Sequence, residues 1–243
     1  MILAAVVVAV IIAIFIVKFL PLKLRWMASL LLLASTVFLC IKIYDGIMLP
    51  IKFNEEKVVK YTKVVNRLKI IRDAQLKYYE VNNKYTDDKK GLIKFIETAE
   101  LALTETRDTI IKVNQGGSII IDVPKKIKDT IGYEPVLKYF KNRDYKNMFT
   151  IPGTNGKEFY VEAGTVEKVE GLVVPTFIAK CKKEEILKGM DDSLVKQELE
   201  AAATDQIKGR FVSVGSLEEV STGGNWPPSY DKKERESKKK NKK

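Results

Sequence analysis

The chain has 243 residues, a formal net charge of +11 and no histidine. Without histidine it lacks the most common general base and the most common metal ligand of proteins, which argues against the usual hydrolases and zinc enzymes. The segment from Lys232 to Lys243 contains eight Lys or Arg and two Glu, so more than half of the charge excess lies in this tail and gives only weak support for nucleic-acid binding.

Two apolar runs occupy the N-terminal region. Residues 1–17 carry no charged side chain, and the run 26–41 extends further if the Lys42 ammonium reaches the membrane surface. Each run approaches the roughly 20 residues that a helix needs to cross a bilayer. We therefore predict a transmembrane helical hairpin over residues 1–48, with its turn at 20–25. A cleavable signal peptide is the alternative, but no basic segment precedes the first run and no small-residue cleavage site follows it.

The charges beside the two runs predict the orientation. Lys18, Lys23 and Arg25 crowd the short turn, whereas the segment after Tyr44 carries charges of both signs. By the positive-inside rule, the turn then faces the cytoplasm, and the soluble part faces the periplasm from the inner membrane. The basic tail favours the opposite orientation, but charges far from the spans count less. We expect Trp26 and Tyr44 to anchor the second run at the membrane surfaces, together with the three basic residues.

Residues 49–90 are predicted to form a helical stalk. One set of side chains in this range recurs in steps of three and four, which is the spacing of one helix face or of a coiled-coil seam. The six seam residues are Tyr61, Val64, Leu68, Ile71, Gln75 and Tyr78. Two interpretations stay open: this face packs on the soluble domain of the same chain, or it binds a second chain in a coiled coil.

The end of the stalk resembles a known family. The sequence AQLKYYEVNNKYT at 74–86, followed by Leu92, resembles the end of the long helix in type IV pilins and pseudopilins, with Thr86 where those proteins often have proline. This resemblance implies a pilus-like or secretion-like assembly. The chain as a whole also resembles two-span envelope proteins of Bacteroidota, which implies a lineage but no activity.

Residues 91–230 are predicted to form a soluble α+β domain. A short amphipathic helix is expected over 91–103. Two strands, 109–113 and 118–123, flank an NQGG turn typical of a hairpin, and Pro124 is expected to end the second strand.

The remaining predicted elements of the domain alternate loops, strands and one helix. In chain order they are a loop with short helical turns at 125–146, three or four strands at 147–181 with turns at 152–156 and around Gly164 and Gly171, a helix at 183–203 that Gly189 splits, and a last strand at 210–214. The predicted fold class is an α+β membrane protein with an N-terminal transmembrane helical hairpin, a long helical stalk, and a small, mostly antiparallel sheet with flanking helices. A disordered basic tail, 231–243, follows.

No residue pattern predicts catalysis, and we expect no catalytic residue, cofactor or metal. The GTNG sequence at 153–156 lacks the Lys-Ser/Thr of a phosphate loop and is interpreted as a hairpin turn. The pairs 87–88 and 191–192, both Asp-Asp, lack the ligand spacing of a calcium loop and are interpreted as helix caps. Cys181 is expected to be a buried thiol. Trp226 is expected to pack on the domain edge, with the anchoring of a partner as the alternative. A serine–lysine dyad stays open as an enzymatic alternative, although no serine lies in an S-x-x-K motif.

The sequence thus predicts a non-enzymatic structural or scaffold component, anchored in the inner membrane. It would bind other envelope proteins, or further copies of itself, through its stalk and periplasmic domain. The alternative is a membrane-anchored module that binds a polyanion, such as DNA or a cell-wall polymer, through its lysines and the tail 231–243.

Overall fold

A computed structural model describes the chain over residues 22–114, 120–200 and 206–230, together with Ile11, Ile14, Phe15 and Lys18. The described chain is α+β, with one long N-terminal helix and two small antiparallel sheets. It divides into two compact units, Met1–Glu56 and Lys57–Lys243.

Helix α1 runs from Leu22 to Asn82 and continues through Pro50. Its apolar part, which begins at Ser29, is long and apolar enough to cross a membrane, and none of that window is buried within the chain. The described residues show one such helix, and the first predicted span lies largely outside them. The turn predicted at 20–25 does not include residues 22–25, which are helical, because no residue there breaks a helix.

In the second unit, α1 packs against the domain of its own chain. Five of the six predicted seam residues are at most 1% exposed, and these are Tyr61, Val64, Leu68, Ile71 and Gln75. The sixth, Tyr78, is half-buried. Of the two interpretations of the seam, the structure shows packing on the same chain. A coiled coil with a second chain is not shown, and the seam is not available to one, because the folded domain already covers it.

Helix α2, Lys89–Thr98, follows a short turn. The Asp88 side chain accepts a hydrogen bond from the Lys90 amide, which confirms the predicted helix cap. The helix predicted to reach residue 103 ends instead at Thr98, because the chain enters strand β1 at Glu100 and pairs there with Pro135.

Strands β1, Glu100–Asn114, and β2, Ile120–Pro135, form an antiparallel hairpin. The hairpin predicted around NQGG is confirmed, but its strands are 15 and 16 residues long. The prediction that Pro124 ends the second strand is wrong, and so is the loop predicted from residue 125 onwards as far as Pro135. Both strands of a two-stranded sheet are edge strands, in which proline is tolerated because its missing N–H can face solvent.

The second sheet contains three antiparallel strands in the order β3-β4-β5. Their bounds are Tyr160–Val169, Leu172–Lys182 and Phe211–Ser216. The last strand and the turn at Gly171, which has φ +84°, are confirmed. The turn predicted around Gly164 is wrong, since Gly164 lies inside β3. A Cβ atom there would come within 3.2 Å of the Leu217 side chain, so a close contact explains this glycine.

Short helices connect the two sheets and the last strand. A 3₁₀ helix spans Val136–Tyr139, helix α3 spans Lys183–Ile186, and helix α4 spans Asp192–Leu199. The predicted split of the helix at 183–203 is therefore confirmed. Asp191 caps α4 by accepting hydrogen bonds from the amides of the two residues that follow Asp192.

Candidate functional site

Two lysines and one glutamate meet inside the second unit. Lys57 lies on α1, Lys183 begins α3 and Glu198 lies on α4, with exposed fractions of 6%, 0% and 5%. Lys57 Nζ donates to Glu198 Oε2 over 2.8 Å, and Lys183 Nζ lies 3.4 Å from Glu198 Oε1. One carboxylate therefore compensates two buried ammonium groups and ties three helices together.

The Lys183 ammonium is held by backbone carbonyls as well. Its Nζ donates to the carbonyl of Glu198 over 3.0 Å and to the carbonyl of Ile207. Burial lowers the pKa of Lys183, and the charge of Glu198 opposes that shift. An ammonium has three N–H donors, and three acceptors surround this one. Lys183 is therefore arranged as a structural tie between α3, α4 and the chain before β5, and its donors are not directed to a substrate.

Two tyrosines and a thiol border this charge cluster. The Tyr61 hydroxyl lies 3.4 Å from Glu198 Oε1, and the Tyr61 and Tyr230 rings meet edge to face at 6.4 Å. Burial, with the Glu198 charge, raises the pKa of Tyr61 and raises that of Tyr230 to about 12. Burial, with a smaller effect of Glu185, raises the pKa of Cys181 to about 12. The prediction of a buried thiol is confirmed, and this thiol stays protonated at neutral pH.

The polar member of the predicted seam, Gln75, holds the turn that follows α1. Its side-chain amide donates to the Thr86 carbonyl, and its Oε1 accepts from the Thr86 amide over 3.2 Å. A glutamine at a seam position could have marked a polar contact between chains. Here it satisfies both backbone groups of one residue in the same chain.

The tyrosines around this turn form a packing cluster. Tyr78 meets Phe95 edge to face at 4.9 Å. Tyr79 stacks on Tyr85 at 5.0 Å, and Tyr85 packs on Phe177 of β4 at 4.7 Å. The stretch 74–86 is thus the region through which α1, the turn and the three-stranded sheet pack on each other.

The predicted membrane anchors lie in the N-terminal unit. Trp26 and Tyr44 are 66% and 60% exposed on α1, which is the exposure that a lipid-facing or interfacial side chain requires. Lys18 is also exposed. Lys23 and Arg25 are helical, but their side chains lie outside the described residues.

A small cleft lies beside the GTNG turn. Its volume is about 360 Å³, and its lining residues are Gly153, Thr154, Asn155, Lys157, Glu185 and Lys188. An ion pair of 2.8 Å between Lys157 and Glu185 crosses it. Gly153 and Gly156 have φ of +80° and +76°, so the predicted tight turn is confirmed. Within the described ranges, no group of three or more acidic or cysteine side chains converges in a way that could hold a metal ion.

The most exposed part of the second unit is the hairpin of β1 and β2, which we call the arm. At about 3.4 Å per residue, strands of this length extend about 50 Å. Both faces are open along most of the arm. Its exposed large apolar side chains are Leu103, Ile110, Val123, Ile127, Ile131 and Tyr133. An isolated two-stranded sheet is marginally stable in water, and contiguous exposed apolar side chains in proteins often mark binding surfaces.

The sequence contained a weak signal for the full arm. Residues 104–111, TETRDTII, are rich in threonine and isoleucine, which favour strands. Interpreting Pro124 as a strand end concealed the second half of β2.

The chain was compared with known proteins at three levels. No family model, no curated protein and no solved structure is significantly similar to it.

Proposed function

We propose that this protein is a non-enzymatic structural component of an envelope assembly, anchored by α1 in the inner membrane with its domain in the periplasm, and that the arm binds partner proteins. The observation that carries the proposal is the arm itself. Among its described residues it places six large apolar side chains in solvent, whereas the strongest polar cluster described in the domain is buried. A site for chemistry would instead combine an open pocket with unengaged polar groups.

The anchor rests on the exposed apolar part of α1. An apolar helical segment of spanning length that is not buried within the chain is stable in a lipid environment and costly in water. Washing membranes with alkaline carbonate tests this part of the proposal. We expect the full-length protein to stay in the membrane pellet, and release into the wash would contradict it.

The strand register suggests how to shorten the arm without disturbing its base. Arg107 lies opposite Ile127. Residues 108–126 can therefore be replaced by a two-residue Asn-Gly turn that joins Arg107 directly to Ile127 and closes a shorter hairpin. Among the removed residues, those whose burial the structure describes, 108–112 and 122–126, are exposed or half-buried. We therefore expect the shortened protein to keep its thermal stability and to lose the protein partners that crosslink to the full-length protein in membranes.

Deletion of the tail 231–243 is the matched control. It should leave the crosslinked partners unchanged while removing eight basic residues. The result also tests the polyanion alternative. If tail deletion removes a ligand such as DNA at low salt and arm shortening does not, the polyanion function is correct and the arm function is not.

A further inference from the structure

The two outer edges of the arm differ in the residues that decide whether a further strand can pair with them. The edge of β2 carries Pro124, which has no N–H to donate, and the lysines Lys125, Lys126 and Lys128. Proline and lysine are the common means of preventing a further strand from pairing. The edge of β1 from Thr106 to Lys112 contains no proline and no run of like charge. Among the described residues, β2 is the only strand that pairs with β1.

The β1 edge is also complementary to itself. When two copies of β1 run antiparallel with Ile110 opposite Ile110, Asp108 of each copy lies opposite Lys112 of the other. In an antiparallel pair, the side chains of directly opposite residues lie on the same face of the sheet, so Asp108 and Lys112 can contact each other. Ile110 is 68% exposed in the single chain, so this contact would cover the most exposed large apolar side chain between Thr106 and Lys112.

The charge pattern continues across the whole arm. Within one chain, Lys112 lies opposite Asp122, and Asp108 lies opposite Lys126. Pairing two β1 edges therefore gives rows of alternating charge across four strands: Asp122, Lys112, the second copy's Asp108 and the second copy's Lys126. Each pair of oppositely charged neighbours on one face is favourable. The two-fold symmetry of the dimer produces this row of four charges twice.

Neighbouring registers are less favourable. Centring the pairing on Asp108 or Lys112 places like charges directly opposite each other, which is unfavourable. Centring it on Thr106 sets Glu105 opposite Arg107 and Lys112 opposite Glu100, but that register extends into the base of the arm. It would require pairing at Leu101, which is only 7% exposed.

We propose that the β1 edge binds the β1 edge of a second copy of this chain, giving a four-stranded antiparallel sheet centred on Ile110. The inference rests on the proposed function, because it names the partner of the arm. Its occupant is a second copy because only an identical edge supplies both the central isoleucine and the reciprocal Asp108–Lys112 pairs.

Disulfide crosslinking in native membranes tests the register. Residues directly opposite in an antiparallel pair have Cα atoms about 4.5–5.5 Å apart, which a disulfide can bridge. In a full-length background with Cys40→Ala, we expect Ile110→Cys to form a covalent dimer under mild oxidation. Ile131→Cys is the matched control, since Ile131 is similarly exposed at 66% but lies on β2 at the irregularity in the register. Thr106→Cys reports on the competing register.

Energy transfer between donor- and acceptor-labelled copies in liposomes tests the energetics. Ile110→Lys places two ammonium groups opposite each other and should weaken association about tenfold or more. Ile131→Lys adds the same charge at similar exposure and should leave association unchanged. Because both side chains are exposed, neither variant should alter thermal unfolding.

The outcomes separate this inference from the proposed function. Absence of the Ile110→Cys dimer, equal crosslinking through Ile131→Cys, or a dimer through Thr106→Cys would overturn the Ile110-centred pairing. If Ile110→Cys fails to crosslink while the shortened arm still loses other partners, self-pairing is wrong and the proposed function stands. If carbonate releases a protein that nevertheless crosslinks through Ile110→Cys, the anchor is wrong and self-pairing stands.

Discussion

Replacing Glu198 by glutamine tests whether the buried charge cluster holds the domain together. In the structure Glu198 is the counter-charge of both Lys57 and Lys183, and the side chains of the Lys57–Glu198 pair are 8% and 4% exposed. Removing one partner of a buried ion pair costs about 3–5 kcal/mol, and here the fully buried Lys183 ammonium loses its counter-charge. Burial is nearly complete, so solvent screening does not reduce this figure.

The matched control is Glu185→Gln. Glu185 pairs with Lys157 at the same 2.8 Å, but the two side chains are 27% and 58% exposed. An exposed pair of this kind contributes about 0–1 kcal/mol. At about 2–4 °C per kcal/mol for a chain of this size, Glu198→Gln should lower the midpoint of thermal unfolding by roughly 10 °C, and Glu185→Gln by a few degrees at most.

The assay is thermal unfolding of the full-length protein in detergent micelles, followed by circular dichroism. A third variant separates lost charge balance from lost packing. Replacing Lys57 and Lys183 by methionine and Glu198 by leucine removes all three charges together. It should recover the part of the loss that comes from charge imbalance, but not the hydrogen bonds from Lys183 to the carbonyls of Glu198 and Ile207. Equal effects of Glu198→Gln and Glu185→Gln would refute the reasoning.

Three further predictions follow from the same unit. Gln75→Ala removes the hydrogen-bond partner of both backbone groups of Thr86 and should lower the free energy of unfolding by about 2–3 kcal/mol. Asn82→Ala, at an exposed position, should have little effect. Urea titration measures both free energies. In a Cys40→Ala background, which removes the exposed thiol, the Cys181 thiol, with its pKa raised from 9.0 to about 12, should react with a thiol reagent at pH 8 only after unfolding. Rapid reaction of that native variant would contradict the burial of Cys181. For Tyr230 the folded pKa is raised from 10.0 to about 12, so the folded state keeps its proton while the unfolded state loses it. Between pH 10 and pH 12 the titration of Tyr230 should therefore lower the free energy of unfolding by up to about 1.4 kcal/mol per pH unit. Tyr230→Phe should remove this contribution to the pH dependence.

Local signals in the sequence predicted local structure well. The caps Asp88 and Asp191, the break at Gly189 and the last strand each depend on a few neighbouring residues, and the structure confirms them. The period of the α1 seam correctly identified a buried face, but period alone does not say whether the covering surface belongs to the same chain.

The features that sequence reasoning missed depend on distant contacts or on topology. Lys57 and Glu198 are 141 positions apart, and a lysine is ordinarily solvated, so nothing local marks the buried cluster. Pro124 indicates a strand end only if a neighbouring strand needs a backbone N–H donor at that position. That condition depends on whether β2 is an edge strand, which its own sequence does not specify.

Membrane anchoring and self-pairing of the arm support each other energetically. Pairing one strand edge through a central isoleucine contact, two reciprocal ion pairs and main-chain hydrogen bonds is a small interaction. A free energy of about −4 kcal/mol corresponds to a dissociation constant of about 1 mM, which is too weak for dilute protein in solution. Copies held in one membrane meet at effective concentrations that reach the millimolar range, as tethered partners do, and at that concentration such an edge is about half occupied. Association through β1 should therefore be substantial in membranes and nearly absent for the same protein diluted in detergent. A self-complementary edge this small thus makes association depend on the anchor.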